Sequence, residues 1–147
     1  MDLKEQLKED LKTSLKERDE LKTGTLRMLM AAITNKEKEG KEVADEQLQD
    51  VVATEAKKRR ESMAAFEKGG RADLAEKEKQ ELKVLLSYLP EQLTEDQIKT
   101  LVKEAIQKTG AASQKDMGKV MRELASEVKG RTDGSQVANI VKEQLSS

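Results

Sequence analysis

The chain has 147 residues, with 28 Lys and Arg against 29 Asp and Glu, one Pro, one Phe, one Tyr, and no Cys, His or Trp. The missing thiol and imidazole exclude disulfides, thiolate metal sites and the commonest general base, and a charge of −1 spread over 39% charged residues argues against simple disorder. Scarce aromatics speak against a sheet core, so the expected fold class is all-α: a helical N-terminal part, residues 1–92, then a compact three-helix C-terminal part, 93–147.

Leu3, Leu7, Leu11 and Leu15 repeat every four residues and predict an amphipathic first helix over 2–18. A second helix is expected over 20–38. Its apolar positions are Leu21, Leu26, Met28, Leu29, Met30 and Ile33, and Gly24 is taken to allow close helix packing. Asp45 is the expected N-cap of a third helix running to Lys68, with Leu48, Val51, Val52, Ala56, Met63 and Phe66 inward. Gly69-Gly70 ends it. A fourth helix over 71–88 carries Leu74, Leu82, Leu85, Leu86 and Leu89, and Pro90 stops it, because the residue before a proline is pushed away from helical angles.

Past Pro90 the pattern changes to shorter, better-filled helices. Thr94-Glu95-Asp96-Gln97 reads as a capping box opening a fifth helix, with Ile98, Leu101, Val102, Ala105 and Ile106 inward and Gly110 at its end. Ser113 is the expected cap of a sixth helix with Met117, Val120, Met121, Leu124 and Val128 inward, closing at Gly130. Asp133-Gly134 turns into a seventh that carries Val137, Ile140, Val141 and Leu145.

Chemistry is hard to place on this chain. The glycines are scattered or sit at helix ends, so no phosphate loop exists. Ser87, Ser113 and Ser135 fall at expected helix ends, and no His stands ready to activate them. Carboxylate pairs such as Glu37/Glu39 and Asp45/Glu46 are expected at this charge density, and nothing marks a metal site. No cofactor, no metal and no enzymatic activity are expected.

Two cationic features stand out. Lys57-Lys58-Arg59-Arg60 covers a full helical turn, so its members cannot all face one ligand. A solvated helix paired with Glu55 and Glu61 is the simpler reading, and a nucleic-acid contact is the rival. Lys115, Lys119 and Arg122 follow i, i+4, i+7 spacing and are expected on one face, while Lys129 and Arg131 flank Gly130. Such a cluster suits phosphate; it also suits the negative end of a helix dipole. Gly118 is unfavourable within a helix, and packing against another helix is its expected reason. MDLKEQLKEDLK has no apolar h-region and no run reaches the length of a membrane span, so a cytoplasmic location with no membrane partner is expected.

Three segments carry a family resemblance: Tyr88-Leu89-Pro90-Glu91-Gln92-Leu93-Thr94, Asp116-Met117-Gly118-Lys119-Val120-Met121, and Val128-Lys129-Gly130-Arg131-Thr132-Asp133-Gly134-Ser135. With Arg27-Met28 and the chain length, they resemble the YqeY family over essentially the whole chain. The C-terminal part is similar to the tail domain of the B subunit of the tRNA-dependent glutamyl/aspartyl amidotransferase. The matching residues are Gly118-Lys119-Val120-Met121, Lys129-Gly130 and the helix from Val137 to Leu145. That tail touches tRNA and performs no chemistry, and related modules are appended to some glutaminyl-tRNA synthetases. The resemblance therefore implies a non-catalytic, tRNA-associated binding module. Its partners are tRNA and an aminoacyl-tRNA synthetase or amidotransferase, and its tRNA contacts fall on Lys119, Lys129, Gly130 and Arg131; the helical spacing adds Arg122 beside them. The carbon–nitrogen ligase label of the family reaches this chain only through the shared tail. The alternative is an adaptor that docks a partner protein through amphipathic helices, the first above all.

Overall fold

The computed structural model describes residues 1–40 and 43–146. It is all-α: α1 Leu3–Lys16, α2 Glu20–Glu37, α3 Asp45–Lys68, α4 Ala72–Leu86, α5 Glu95–Thr109, a 3₁₀ turn Gln114–Asp116, α6 Met117–Val128 and α7 Gly134–Leu145, with no strand among the described residues. The chain divides into two compact units, Met1–Pro90 and Glu91–Ser147.

In the first unit α3 and α4 form a helical hairpin, and α1 and α2 pack with them. Gly70 makes the turn with φ +73°, a left-handed backbone that a side chain resists. The Arg71 amide donates to the Phe66 carbonyl at 2.8 Å and closes α3. The core is Leu7, Leu26, Leu29, Ile33, Leu48, Val52, Ala56, Leu85 and Tyr88. Leu3 and Leu11 pack against it, so the stripe of α1 is used within the unit. That leaves the docking role expected of the first helix without its apolar face.

The stripe also drifts. Residues four apart rotate by about 40° per step, so Leu15 lies roughly 120° around the helix from Leu3. Leu15 is 48% exposed, and Ser14 takes the interior position instead. Its hydroxyl lies 2.8 Å from that of Thr23 and also donates to the Leu11 carbonyl, so this buried polar pair is satisfied. Three further expectations are corrected. Met28 is 50% exposed. A Cβ on Gly24 would meet nothing within 4 Å, so close packing is not its reason. Asp45 is the first helical residue rather than the cap; Ala44 caps, and its amide donates to the Gln47 side chain at 3.0 Å.

In the second unit α5, α6 and α7 contact one another around Ile98, Val102, Ala105, Val120, Leu124, Val137, Ile140, Val141 and Leu145. Each of its Val, Leu and Ile side chains contributes roughly 1.5–3 kcal/mol by leaving water. Thr94 builds the full capping box: its hydroxyl accepts from the Gln97 amide at 3.2 Å, and the Gln97 side chain accepts from the Thr94 amide at 2.9 Å. Gly110 ends α5 at φ +69°. Ser113 does not cap α6. It precedes the 3₁₀ turn, whose Asp116 carboxylate accepts from the Ala112 amide at 2.9 Å, and the α-helix starts only at Met117.

Candidate nucleic-acid interface

Helix α6 has two very different sides. Val120 and Leu124 are buried, and Met117, Met121 and Val128 pack beside them. At about 100° per residue, Lys119, Arg122 and Ser126 fall within about 60° of one another on the opposite side. All three are exposed, as are Gly118, Ala125 and Lys129. The two carboxylates of α6 lie off this strip, toward α5: Glu123 accepts an ion pair from Lys108 of α5 at 2.8 Å. That carboxylate holds the Lys108 ammonium above its ordinary pKa. The strip is therefore cationic, with the Asp116 and Glu123 carboxylates along its border.

Lys119 stands 3.9 Å from Asp116, one turn back. The Ala112 amide, first, and the Lys119 charge, last, keep the Asp116 carboxyl below its usual pKa. Lys115 is exposed and lies in the 3₁₀ turn that precedes α6, so it is not part of the helix itself. Gly118 is exposed and a Cβ there would meet nothing within 4 Å, so the expected packing reason for this glycine is wrong.

The α6–α7 turn is built by Arg131. Gly130 adopts φ +71°, and its carbonyl accepts from the Gln92 side chain at 2.8 Å. The Arg131 carbonyl accepts from the Leu93 amide at 2.8 Å. Its guanidinium donates from Nε to the Glu91 carbonyl and from Nη1 to the Glu127 carbonyl, both at 3.3 Å. Arg131 thus ties the segment entering α5 to the end of α6. Lys119, Arg122 and Lys129 are exposed, and much of the Arg131 side chain is committed to backbone. Beside Arg131 lies an open hollow of about 580 Å³, floored by Leu93 and Leu101 and bordered by Asp96 and Glu127.

The other cationic run resolves differently. Lys58 pairs with Glu55 at 3.3 Å. Arg59 leaves the run altogether: it turns onto α4 and meets Glu78 at 3.3 Å and Glu81 at 3.5 Å, each of the three side chains almost enclosed. Burial, and then the neighbouring Glu78 charge, push the Glu81 carboxyl above its usual range despite Arg59. The Tyr88 phenol donates to Asp10 at 2.6 Å, and burial together with that carboxylate holds it protonated well above the ordinary tyrosine range. Neither cluster was visible as spacing, since the partners lie 19 and 78 residues apart.

Ser87 and Ser113 flank helix ends and Ser135 lies in the first turn of α7. No metal-holding group of three acidic, His or Cys side chains occurs among the described residues. No helix among them is long and apolar enough to cross a membrane.

The model of the family described as Yqey-like protein matches residues 4–145. The chain belongs to the Yqey-like family. Curated relatives bear the name Altered inheritance of mitochondria protein 41, mitochondrial. That of Lachancea thermotolerans is 35% identical over 85 residues, 56% of this chain and 46% of the relative. That of Kluyveromyces lactis is 39% identical over 84 residues, 56% of this chain and 45% of the relative. That of Pyrenophora tritici-repentis is 32% identical over 133 residues, 88% of this chain and 73% of the relative. The chain thus spans about half the length of the first two. Neither the Yqey-like description nor these names denote an enzyme, and membership fits a non-catalytic module. The mitochondrial relatives overturn the cytoplasmic expectation. It rested on the missing h-region, which separates secreted chains from the rest without choosing among the remaining compartments.

Proposed function

We propose that this chain is a non-catalytic tRNA-binding module whose contact surface is the outer strip of α6 continued into the α6–α7 turn. One observation carries the reading: Lys119, Arg122 and Lys129 share an exposed face while the nearby carboxylate Glu123 is drawn aside by Lys108. With a net charge of −1, the chain has no bulk attraction for RNA, so binding must be local. The resemblance of this segment to the amidotransferase B-subunit tail supplies tRNA as the ligand. An aminoacyl-tRNA synthetase or amidotransferase is the enzyme such a module would serve. Lys119, Arg122 and Lys129 meet phosphate in this reading, and Gly130 and Arg131 shape the turn beside them.

Fluorescence anisotropy with labelled tRNA tests the proposal. Three phosphate contacts give a log K slope of roughly −2 to −3 against log salt. The triple variant K119E/R122E/K129E abolishes binding and keeps its helical circular dichroism, while K57E/K58E/R60E binds as the parent does. Equal binding by the parent and the first variant contradicts the site.

A second reading, docking of a partner protein, is favoured by α2. Its apolar residues run around the whole helix, which normally marks burial on every side, yet Gly24, Met28 and Ala31 lie exposed. A parent chain that binds no tRNA at low salt would move this reading to the front.

A further inference from the structure

Proteins hold RNA in two physically distinct ways. Single strands are gripped by stacking bases on aromatic rings. Double helices are gripped across the minor groove, through phosphates and 2′-hydroxyls, with no ring required. The chain's two aromatic residues, Phe66 and Tyr88, both belong to the first unit. Tyr88 is buried with its hydroxyl on Asp10. The unit Glu91–Ser147 has no ring on which a base could stack. Of its two arginines, Arg131 has its guanidinium on the Glu91 and Glu127 carbonyls, which leaves Arg122 alone as a planar group.

What α6 and its C-cap Lys129 do offer is a row of exposed polar residues in fixed order: Lys119, Arg122, Ser126, Lys129. At 1.5 Å per residue the row is about 15 Å long. Cations stand at both ends, and a hydroxyl that both donates and accepts sits between Arg122 and Lys129. Gly118 and Ala125, exposed on the same side, keep the helix surface low enough for close approach. The order phosphate, 2′-hydroxyl, phosphate across a wide and shallow groove answers that row.

We propose that the α6 strip recognises double-helical A-form RNA, a stem of the tRNA, through the phosphates and 2′-hydroxyls of its minor groove, and that unpaired loop bases are not its ligand. The inference rests on the tRNA reading above and narrows it to a class of RNA structure. Recognition is then largely independent of sequence. Ser126 contributes the contact that separates RNA from DNA, since only RNA carries the 2′-hydroxyl.

The test uses the full chain in anisotropy titrations at low salt with four probes: tRNA, a blunt RNA duplex of about 16 base pairs, a DNA duplex of the same sequence, and an oligouridine strand of the same length. The RNA duplex is expected to bind within about threefold of tRNA, and the oligouridine at least about tenfold more weakly, as for a site lacking even one stacking ring. S126A weakens the RNA duplex a few-fold and leaves the DNA duplex unchanged. Oligouridine binding as tightly as the duplex overturns the inference, as does an S126A effect equal on RNA and DNA. Binding of tRNA without binding of the duplex overturns this inference and leaves the tRNA reading standing. Failure to bind tRNA removes both.

Discussion

The two units solve the same problem, a helical fold from a chain poor in apolar residues, in opposite ways. The first brings polar chemistry inside: Ser14 against Thr23, Tyr88 against Asp10, and Arg59 between Glu78 and Glu81. The second has an aliphatic core from Ile98 to Leu145 and keeps its charges at the surface. The difference separates two meanings of a cationic cluster. Lys57-Lys58-Arg59-Arg60 is the denser run, yet its central arginine holds α3 to α4. Lys119, Arg122 and Lys129 are sparser and remain exposed. Density along the sequence is therefore a poor guide to a binding surface; exposure in the folded chain is a better one.

The comparison breaks most sharply at Arg59. Replacing one partner of an enclosed ion-pair cluster leaves the other charges uncompensated, at a cost of about 3 kcal/mol or more. R59M should lower the midpoint of the first unit by roughly 10–20 °C. Tyr88 is the only tyrosine and there is no Trp, so intrinsic fluorescence during melting reports the first unit selectively. A melt unchanged from the parent means that Arg59 is not a structural residue.

In the second unit the corresponding residue is Arg131, bonded to carbonyls at a more exposed site. R131M should cost about 1–2 kcal/mol, read as faster amide hydrogen exchange over α5 and α6. Faster exchange in α1–α4 instead would contradict its place in the turn.

Glu81 gives the first unit a pH dependence opposite in sign to that of Asp116 in the second. Its carboxyl is raised in the folded state, so the folded chain binds a proton that the unfolded chain releases. The stability it adds is present at low pH and is lost as pH rises from about the ordinary Glu value through the raised one. Denaturant midpoints of the parent, followed by tyrosine fluorescence, should fall across that window, and E81Q should flatten the change. An unaltered slope in E81Q assigns the effect to another group.

The smallest effect is at Gly118. With open space around its missing Cβ, G118A should raise the stability of the second unit by about 0.5–1 kcal/mol through helix propensity alone. A destabilised G118A would restore the packing explanation that the structure removes.

Much of the fold was legible in the sequence because periodicity and capping are local. The Thr94 box, the left-handed Gly110 and the apolar faces of α5 and α7 follow from residues a few positions apart. What failed was cumulative or long-range. Leu15 left the core because a four-residue repeat precesses against a 3.6-residue helix. Ser113 lost its expected capping role because a short 3₁₀ turn delayed the start of α6. Arg59 and Tyr88 found partners that no short window contains. Of the cationic positions near the C-terminus, sequence spacing placed Lys119 and Arg122 together and gave no sign that the Arg131 side chain is engaged with backbone.

The most direct test of the central claim, that RNA meets α6 and leaves the first unit alone, is an ¹⁵N NMR titration of the full chain with tRNA. Amide shifts should change from Gly118 to Gly130 and remain unperturbed along α3 and α4. Changes centred on Lys57 to Arg60, with α6 silent, would contradict the account.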